Sequence, residues 1–214
     1  MRTREEIISL LTNPGIIAVI RTDELEKILL ACEALVAGGV CALEITMTSR
    51  DALAAIRDVS RRFQREAVTG AGTVLNAEMC RAVIGAGAEF IVTPVMKPEL
   101  VPVAHAANRP IMLGTYTPTE AQLAHEAGAD FVKIFPAEGL GPAYIKSILA
   151  PLPHLKIVPT GGVDLQTAGD FLKAGCVALG AGSALVSAKI LREKNWAELT
   201  RLAREFVSAV QKVR

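Results

Sequence analysis

The 214-residue chain has no uninterrupted run of about 18 apolar residues, the length a membrane-spanning helix requires. Residues 1–11 break their apolar positions with Arg4, Glu5 and Glu6, so the start of the chain does not read as a hydrophobic leader. A soluble cytoplasmic protein with no membrane partner is expected. Charge of one sign is lacking too: 23 Lys and Arg stand against 22 Asp and Glu, with no basic tract, which argues against nucleic acid as a partner. Cysteine is sparse and scattered. Cys32, Cys41, Cys80 and Cys176 form no CxxC pair and sit in apolar surroundings, as small buried thiols do. The three histidines, His105, His125 and His154, show no metal-site spacing, so no metal is expected.

What is present is apolar material in short, regularly spaced pieces. Hydrophobic residues make up 51% of the chain, enough to bury a substantial core in one domain. Apolar runs of strand length occupy 15–21, 41–47, 67–73, 89–95, 109–116, 131–137, 156–162 and 176–183. Their starts lie 20–26 residues apart, room for a strand, a helix and two short loops each time. Strict alternation of strand and helix implies a parallel sheet, and eight such units close most readily into a single-domain α/β (β/α)8 TIM barrel spanning about 15–187. A short helix at about 3–12 precedes it. A C-terminal helix at about 195–213 follows, with Leu199, Leu202, Ala203, Phe206, Val210 and Val213 on one face.

An internal repeat supports the count. Ala-Gly precedes each even-numbered strand, at 37–38, 86–87, 127–128 and 174–175, where glycine suits a helix C-cap. Aligning the four segments on the glycine nearest each strand puts Glu44, Val92, Lys133 and Gly180 at one level. Alternate strands of such a barrel share an interior layer, so Glu44 and Lys133 are expected to face each other across the axis. Thr117 and Asn195 each precede a Glu by three positions, the pattern of a helix start.

Lys133 alone reads as readily as a strand lysine whose stem packs on Phe131 and Phe135. Glu44 alone reads as a buried carboxylate neutralised by a basic neighbour, Lys133 included. Both at one level near the strand C-termini, where barrels place their sites, point to chemistry. A lysine in water is neutral in roughly one molecule in a few thousand at pH 7, and apolar flanks penalise the charged form. A neutral amine attacks a ketone to give an iminium, an electron sink for carbon–carbon cleavage, and a nearby carboxylate carries the protons. Thr160-Gly161-Gly162 ends the seventh strand and Gly180-Ala181-Gly182-Ser183 the eighth, where barrels commonly hold a phosphate on backbone amides. Gly70-Ala71-Gly72-Thr73 fits either a close-packed turn or a place where substrate meets the backbone.

Through these residues the sequence resembles the 2-keto-3-deoxy-6-phosphogluconate (KDPG) / 4-hydroxy-2-oxoglutarate (KHG) aldolase family. The motifs are LVAGGV at 35–40, LEIT at 43–46, GAGTVLN at 70–76, the strand ending in Pro94, KIFPAE at 133–138, PTGGV at 159–163 and GSALV at 182–186. The resemblance implies a class I aldolase needing no metal or organic cofactor. Lys133 corresponds to the Schiff-base lysine and Glu44 to the proton-transferring glutamate. Thr73, Pro94 and Thr160 correspond to substrate-binding positions, and Gly161, Gly162, Gly182 and Ser183 to the phosphate end. It also implies a homotrimer acting on a small keto-acid substrate and releasing pyruvate. One position departs: many members carry an arginine two residues after the LEIT-like motif to hold the substrate carboxylate, and here that residue is Thr48. Arg21, closing the first strand, is the candidate to replace it, since a guanidinium grips a carboxylate by two hydrogen bonds.

The implied reaction cleaves KDPG to pyruvate and glyceraldehyde 3-phosphate. The galactonate epimer and KHG remain open as substrates. Fold and phosphate site alone would also fit an isomerase or decarboxylase without a covalent lysine, or a non-catalytic oligomeric scaffold.

Overall fold

The computed structural model describes residues 2–214. Eight parallel strands alternate with helices in the order α1 (Arg4–Thr12), β1 (Ile16–Ile20), α2 (Leu25–Ala37), β2 (Ala42–Thr46), α3 (Ala52–Arg62), β3 (Val68–Gly72), α4 (Ala77–Ala86), β4 (Phe90–Val92), α5 (Val101–Ala106), β5 (Ile111–Thr115), α6 (Pro118–Glu126), β6 (Phe131–Ile134), α7 (Gly141–Leu149), β7 (Ile157–Pro159), α8 (Ala168–Lys173), β8 (Leu179–Ala181), α9 (Ala188–Glu193) and α10 (Trp196–Gln211). Each strand pairs with its sequence neighbours, β1 also pairs with β8, and a bridge between Thr160 and Gly180 joins β7 to β8. The sheet is thus closed into a (β/α)8 barrel.

Register fixes which residues share a level. Glu44 pairs with Gly70, and Gly70 with Phe90. Val92, two residues further, pairs with Met112, and Met112 with Phe131. Lys133, again two residues on, pairs with Val158. Gly180 pairs with Ile17, which pairs with Ala42, two residues before Glu44. Tilted strands slip by about one residue per neighbour, so two strands on, the residue at the same height lies two positions later. Glu44, Val92, Lys133 and Gly180 therefore form one interior layer, as the repeat predicts. The glycines that align the repeat, Gly39, Gly87, Gly128 and Gly175, all have φ between +89° and +111°, the left-handed conformation that ends a helix before the next strand.

Two cores result. Ile17, Ala42, Val68, Phe90, Val92, Met112, Phe131, Val158 and Ala178 fill the barrel, and Ile7 and Leu11 of α1 pack on them. Helix α1 is therefore a plug at the N-terminal end, tied by Arg4 at 3.4 Å to the carboxylate of Asp130, which His105 of α5 also contacts at 2.9 Å. The larger core lies between strands and helices. There α10 packs on α2 closely enough that a Cβ on Gly38 would stand 2.3 Å from the Ala203 Cβ. The buried face of α10 comprises Leu199, Ala203, Phe206 and Val210. Thr117 and Glu120 form a reciprocal capping box, and Asn195 accepts from the Glu198 N–H.

The ladders are shorter than the apolar runs. β4, β7 and β8 have three residues each. Pro159 ends β7, and after β4 the Thr93 hydroxyl takes over: it donates to the Val95 carbonyl (2.6 Å) and accepts from the Gly114 N–H (3.0 Å). Among the described residues no helix is long and apolar enough to cross a membrane.

Candidate active site

Lys133 lies on β6 and Glu44 on β2, 5% and 3% exposed. Inside a barrel such groups are kept only if something fixes them. For Lys133 the fixing is local. Thr115 donates its hydroxyl to the Lys133 carbonyl (3.1 Å), holding the β6 backbone against β5, and the Nζ stands 4.9 Å from the centre of the Phe135 ring, close enough for attraction to the aromatic face. Among the described residues Lys133 forms no ion pair, with Glu44 or any other carboxylate. Glu44 and Lys133 share an interior level without neutralising each other as an ion pair.

Glu44 leans across β3. A Cβ on Gly72 would lie 2.0 Å from its Oε1, so the absence of a side chain there is what admits the carboxylate. The same device recurs twice. A Cβ on Gly114, which pairs with Lys133, would collide with the Pro94 carbonyl carbon at 2.3 Å, and one on Gly180 would collide with the Thr160 Oγ1 at 2.2 Å. Three glycines on β3, β5 and β8 thus make room for Glu44, Pro94 and Thr160. The sequence reading named the three occupants as candidates but not the glycines that accommodate them.

Thr73, immediately after Gly72, has φ +60°. A β-branched residue in the left-handed region is a strained exception, and such exceptions concentrate at ligand sites. Gly161 and Gly162 have φ +87° and +72° after Thr160, whose buried side chain lies over β8. Gly161, Gly182 and Ser183 meet Arg21, Thr160 and Phe135 around one cavity of ≈ 670 Å³. Arg21 continues the alternation of the barrel-facing Ile17 and of Val19 on β1, which aims it at the barrel mouth. Among the described residues neither an ion pair nor a side-chain hydrogen bond engages its guanidinium. Thr48 is exposed, its Oγ1 2.9 Å from the Thr46 Oγ1, in a loop tied to the end of β1 by a 3.3 Å hydrogen bond from the Thr22 N–H to the Ser49 Oγ. Phe135, Lys27 and Arg192 line the cavity without having been singled out as site residues in the sequence. No glycine-rich segment or motif marks Lys27 and Arg192.

The cysteines are remote from this arrangement. Burial pushes the thiols of Cys80 and Cys176 up to about 11 and about 12, and those of Cys32 and Cys41 upward as well.

Fold and geometry together describe a (β/α)8 barrel with a buried lysine, a buried glutamate and glycine-lined loops after the last two strands. Comparison with known proteins narrows the class. A family model for KDPG and KHG aldolase matches residues 7–202. The 2-dehydro-3-deoxy-phosphogluconate aldolase of Haemophilus influenzae is 36% identical over 98% of this chain and 99% of its own. A solved native KDPGal structure superposes with a TM-score of 0.86 at 32% identity, covering 92% of this chain and 95% of that one. The KDPG aldolase of Legionella pneumophila, solved with pyruvate captured at low pH as a covalent carbinolamine, gives 0.85 at 30% identity over 92% and 96%. The chain belongs to the KDPG and KHG aldolase family and is a carbon–carbon lyase.

Proposed function

We propose that the enzyme is a class I aldolase that cleaves KDPG to pyruvate and glyceraldehyde 3-phosphate through a Schiff base on Lys133. The observation that carries this reading is the shared interior level of Lys133 and Glu44. The Lys133 amine adds to the C-2 ketone, and loss of water gives an iminium. Glu44, through a water, takes the proton of the C-4 hydroxyl. The C3–C4 bond breaks, its electron pair passes into the enamine, and the aldehyde leaves. Glu44 returns a proton to C-3, and hydrolysis releases pyruvate and the amine. Thr73 and Pro94 flank the pyruvyl portion and Thr160 the middle of the substrate. Arg21, aimed at the mouth and unpaired among the described residues, grips the carboxylate in place of the arginine that Thr48 replaces. Gly161, Gly162, Gly182 and Ser183 receive the phosphate on backbone amides and a hydroxyl. No metal or organic cofactor takes part in this sequence of steps. The captured carbinolamine of the Legionella relative supports the covalent step by analogy.

Incubation with pyruvate and borohydride, followed by peptide mass analysis, tests the reading. It expects one reduced pyruvyl adduct, on Lys133. An adduct elsewhere, or none, defeats it.

We further infer a cytoplasmic homotrimer. The exposed apolar side chains of Leu75, Val95 and Tyr116, after β3, β4 and β5, and of Leu123 on α6 support this reading, since contact with other copies would cover them. Solution mass measurement tests the assembly: a monomer would remove that part of the reading.

A further inference from the structure

The glycine segments after β7 and β8 form a seam between two cavities of opposite character. Gly161, Gly182 and Ser183 line both. On one side, in ≈ 340 Å³, the charged lining is Glu138 and Asp164. On the other, in ≈ 670 Å³, it is Arg21, Lys27 and Arg192 with Asp23 and Glu24. The carboxylates of this second side are engaged: Asp23 accepts the Arg50 N–H at 2.9 Å, and Glu24, 60% exposed, lies 2.6 Å from the Lys27 Nζ. An anion at the seam is repelled from the first side and drawn to the second.

Lys27 is the informative residue. It occupies the first turn of α2, where the helix dipole disfavours a cation. Its side chain is only 14% exposed, so it gives up much of its hydration as well. Glu24, 60% exposed and screened by solvent, offsets only part of these costs, and a cation kept at a cavity wall against both preferences suits an anion bound in that cavity. A phosphate monoester carries a charge of about −1.5 to −2 at pH 7. Backbone amides and the Ser183 hydroxyl offer it hydrogen bonds but no full positive charge. Lys27 retains donors beyond the one directed to Glu24, and Arg192, on α9 at the same cavity, pairs only loosely with Glu193 at 3.6 Å.

We propose that Lys27, assisted by Arg192, neutralises the phosphate at the far end of the substrate and sets the preference for phosphorylated over unphosphorylated 2-keto-3-deoxy acids. Lys27 is a specificity-determining residue that takes no part in proton transfer. This rests on the aldolase reading above and assigns its phosphate end a charge partner.

The experiment compares KDPG with unphosphorylated 2-keto-3-deoxygluconate in the intact enzyme and in Lys27→Met, Lys27→Arg and Arg192→Gln. Lys27→Met should raise KM for KDPG about tenfold, leave kcat within about twofold, and leave both constants for the unphosphorylated acid unchanged. Lys27→Arg should restore most of the KM. Arg192→Gln, at an exposed side chain that folding does not need, should shift KM in the same direction by a smaller factor. Inorganic phosphate should compete less well against KDPG in the Met variant. Equal KM changes for the two substrates, or none, overturn the proposal. An intact enzyme that turns over both acids equally well defeats the phosphate-end reading itself. A preference that persists in both Lys27→Met and Arg192→Gln defeats only the roles of these two cations.

Discussion

The carboxylate of Glu44 rests over the α-carbon of Gly72, so close that a methyl group there would stand 2.0 Å from Oε1. The residue on β3 is thus part of how β2 presents its acid. Gly72→Ala should leave the barrel folded but push the Glu44 carboxylate aside. Since a misplacement of about 1 Å can cost on the order of a hundredfold in rate, kcat should fall by about that factor with little change in circular dichroism. Turnover within about twofold of the parent would mean that the carboxylate is not held to a narrow position.

Glu44→Gln keeps the size of the side chain and removes its base. On the proposed mechanism kcat should drop by about 10²–10⁴, while borohydride trapping of pyruvate on Lys133 slows far less. Full turnover in steady-state assays would take Glu44 out of the proton transfers.

Thr73 pays a conformational penalty at φ +60°. Asparagine tolerates this region, so Thr73→Asn should relieve about 1 kcal/mol and raise Tm by about 2–4 °C. The same change removes the hydroxyl that the proposed function places against the substrate, so on that reading KM for KDPG should rise. Calorimetry paired with steady-state kinetics would reveal whether the strain is maintained for binding.

Glu120 accepts the N–H groups of Tyr116 and Thr117, which lower its carboxyl below the usual carboxylate range, with a further contribution from the Thr117 hydroxyl. A carboxyl lowered on folding adds stability above its unfolded pKa, and that stability is lost as the pH falls through the folded value. Glu120→Gln should therefore melt about 1–3 °C below the parent at pH 7. The gap should close in acid. A gap independent of pH would point to packing rather than charge.

Because burial raises all four thiols, the native protein should resist alkylation at pH 7 for hours and take up four equivalents once unfolded. Half-buried Cys41 should react first. Intact-mass spectra over time would register the order.

Most of the barrel was legible because its signals are periodic. Strand length, the Ala-Gly markers and the fourfold repeat each depend on residues a fixed distance apart, and together they placed Glu44 and Lys133 at one level before any register was known. The ends of the strands were not legible, since a ladder stops where a turn captures its hydrogen bonds, as at Thr93, and not where apolar residues stop. Helix α9 was also missed, being too short for a hydrophobic period to emerge. Of the candidate site, the residues named from the sequence are those that carry motifs. The glycines that clear space for them, Gly72, Gly114 and Gly180, act through atoms they lack and become meaningful only beside a neighbouring strand. Lys27 was hidden for a related reason: in a list of charges it looks like any surface lysine, and only its burial in the first turn of α2 makes it unusual.

The plug formed by Ile7 and Leu11 has a consequence for the order of events. With that end closed, the proposed chemistry leaves the opposite end of the barrel for substrate to enter and both products to leave. On the proposed chemistry the pyruvyl fragment is tethered to Lys133 while the aldehyde fragment lies nearer the rim. The aldehyde must then depart first, and in the synthetic direction pyruvate must load before any aldehyde can be accepted.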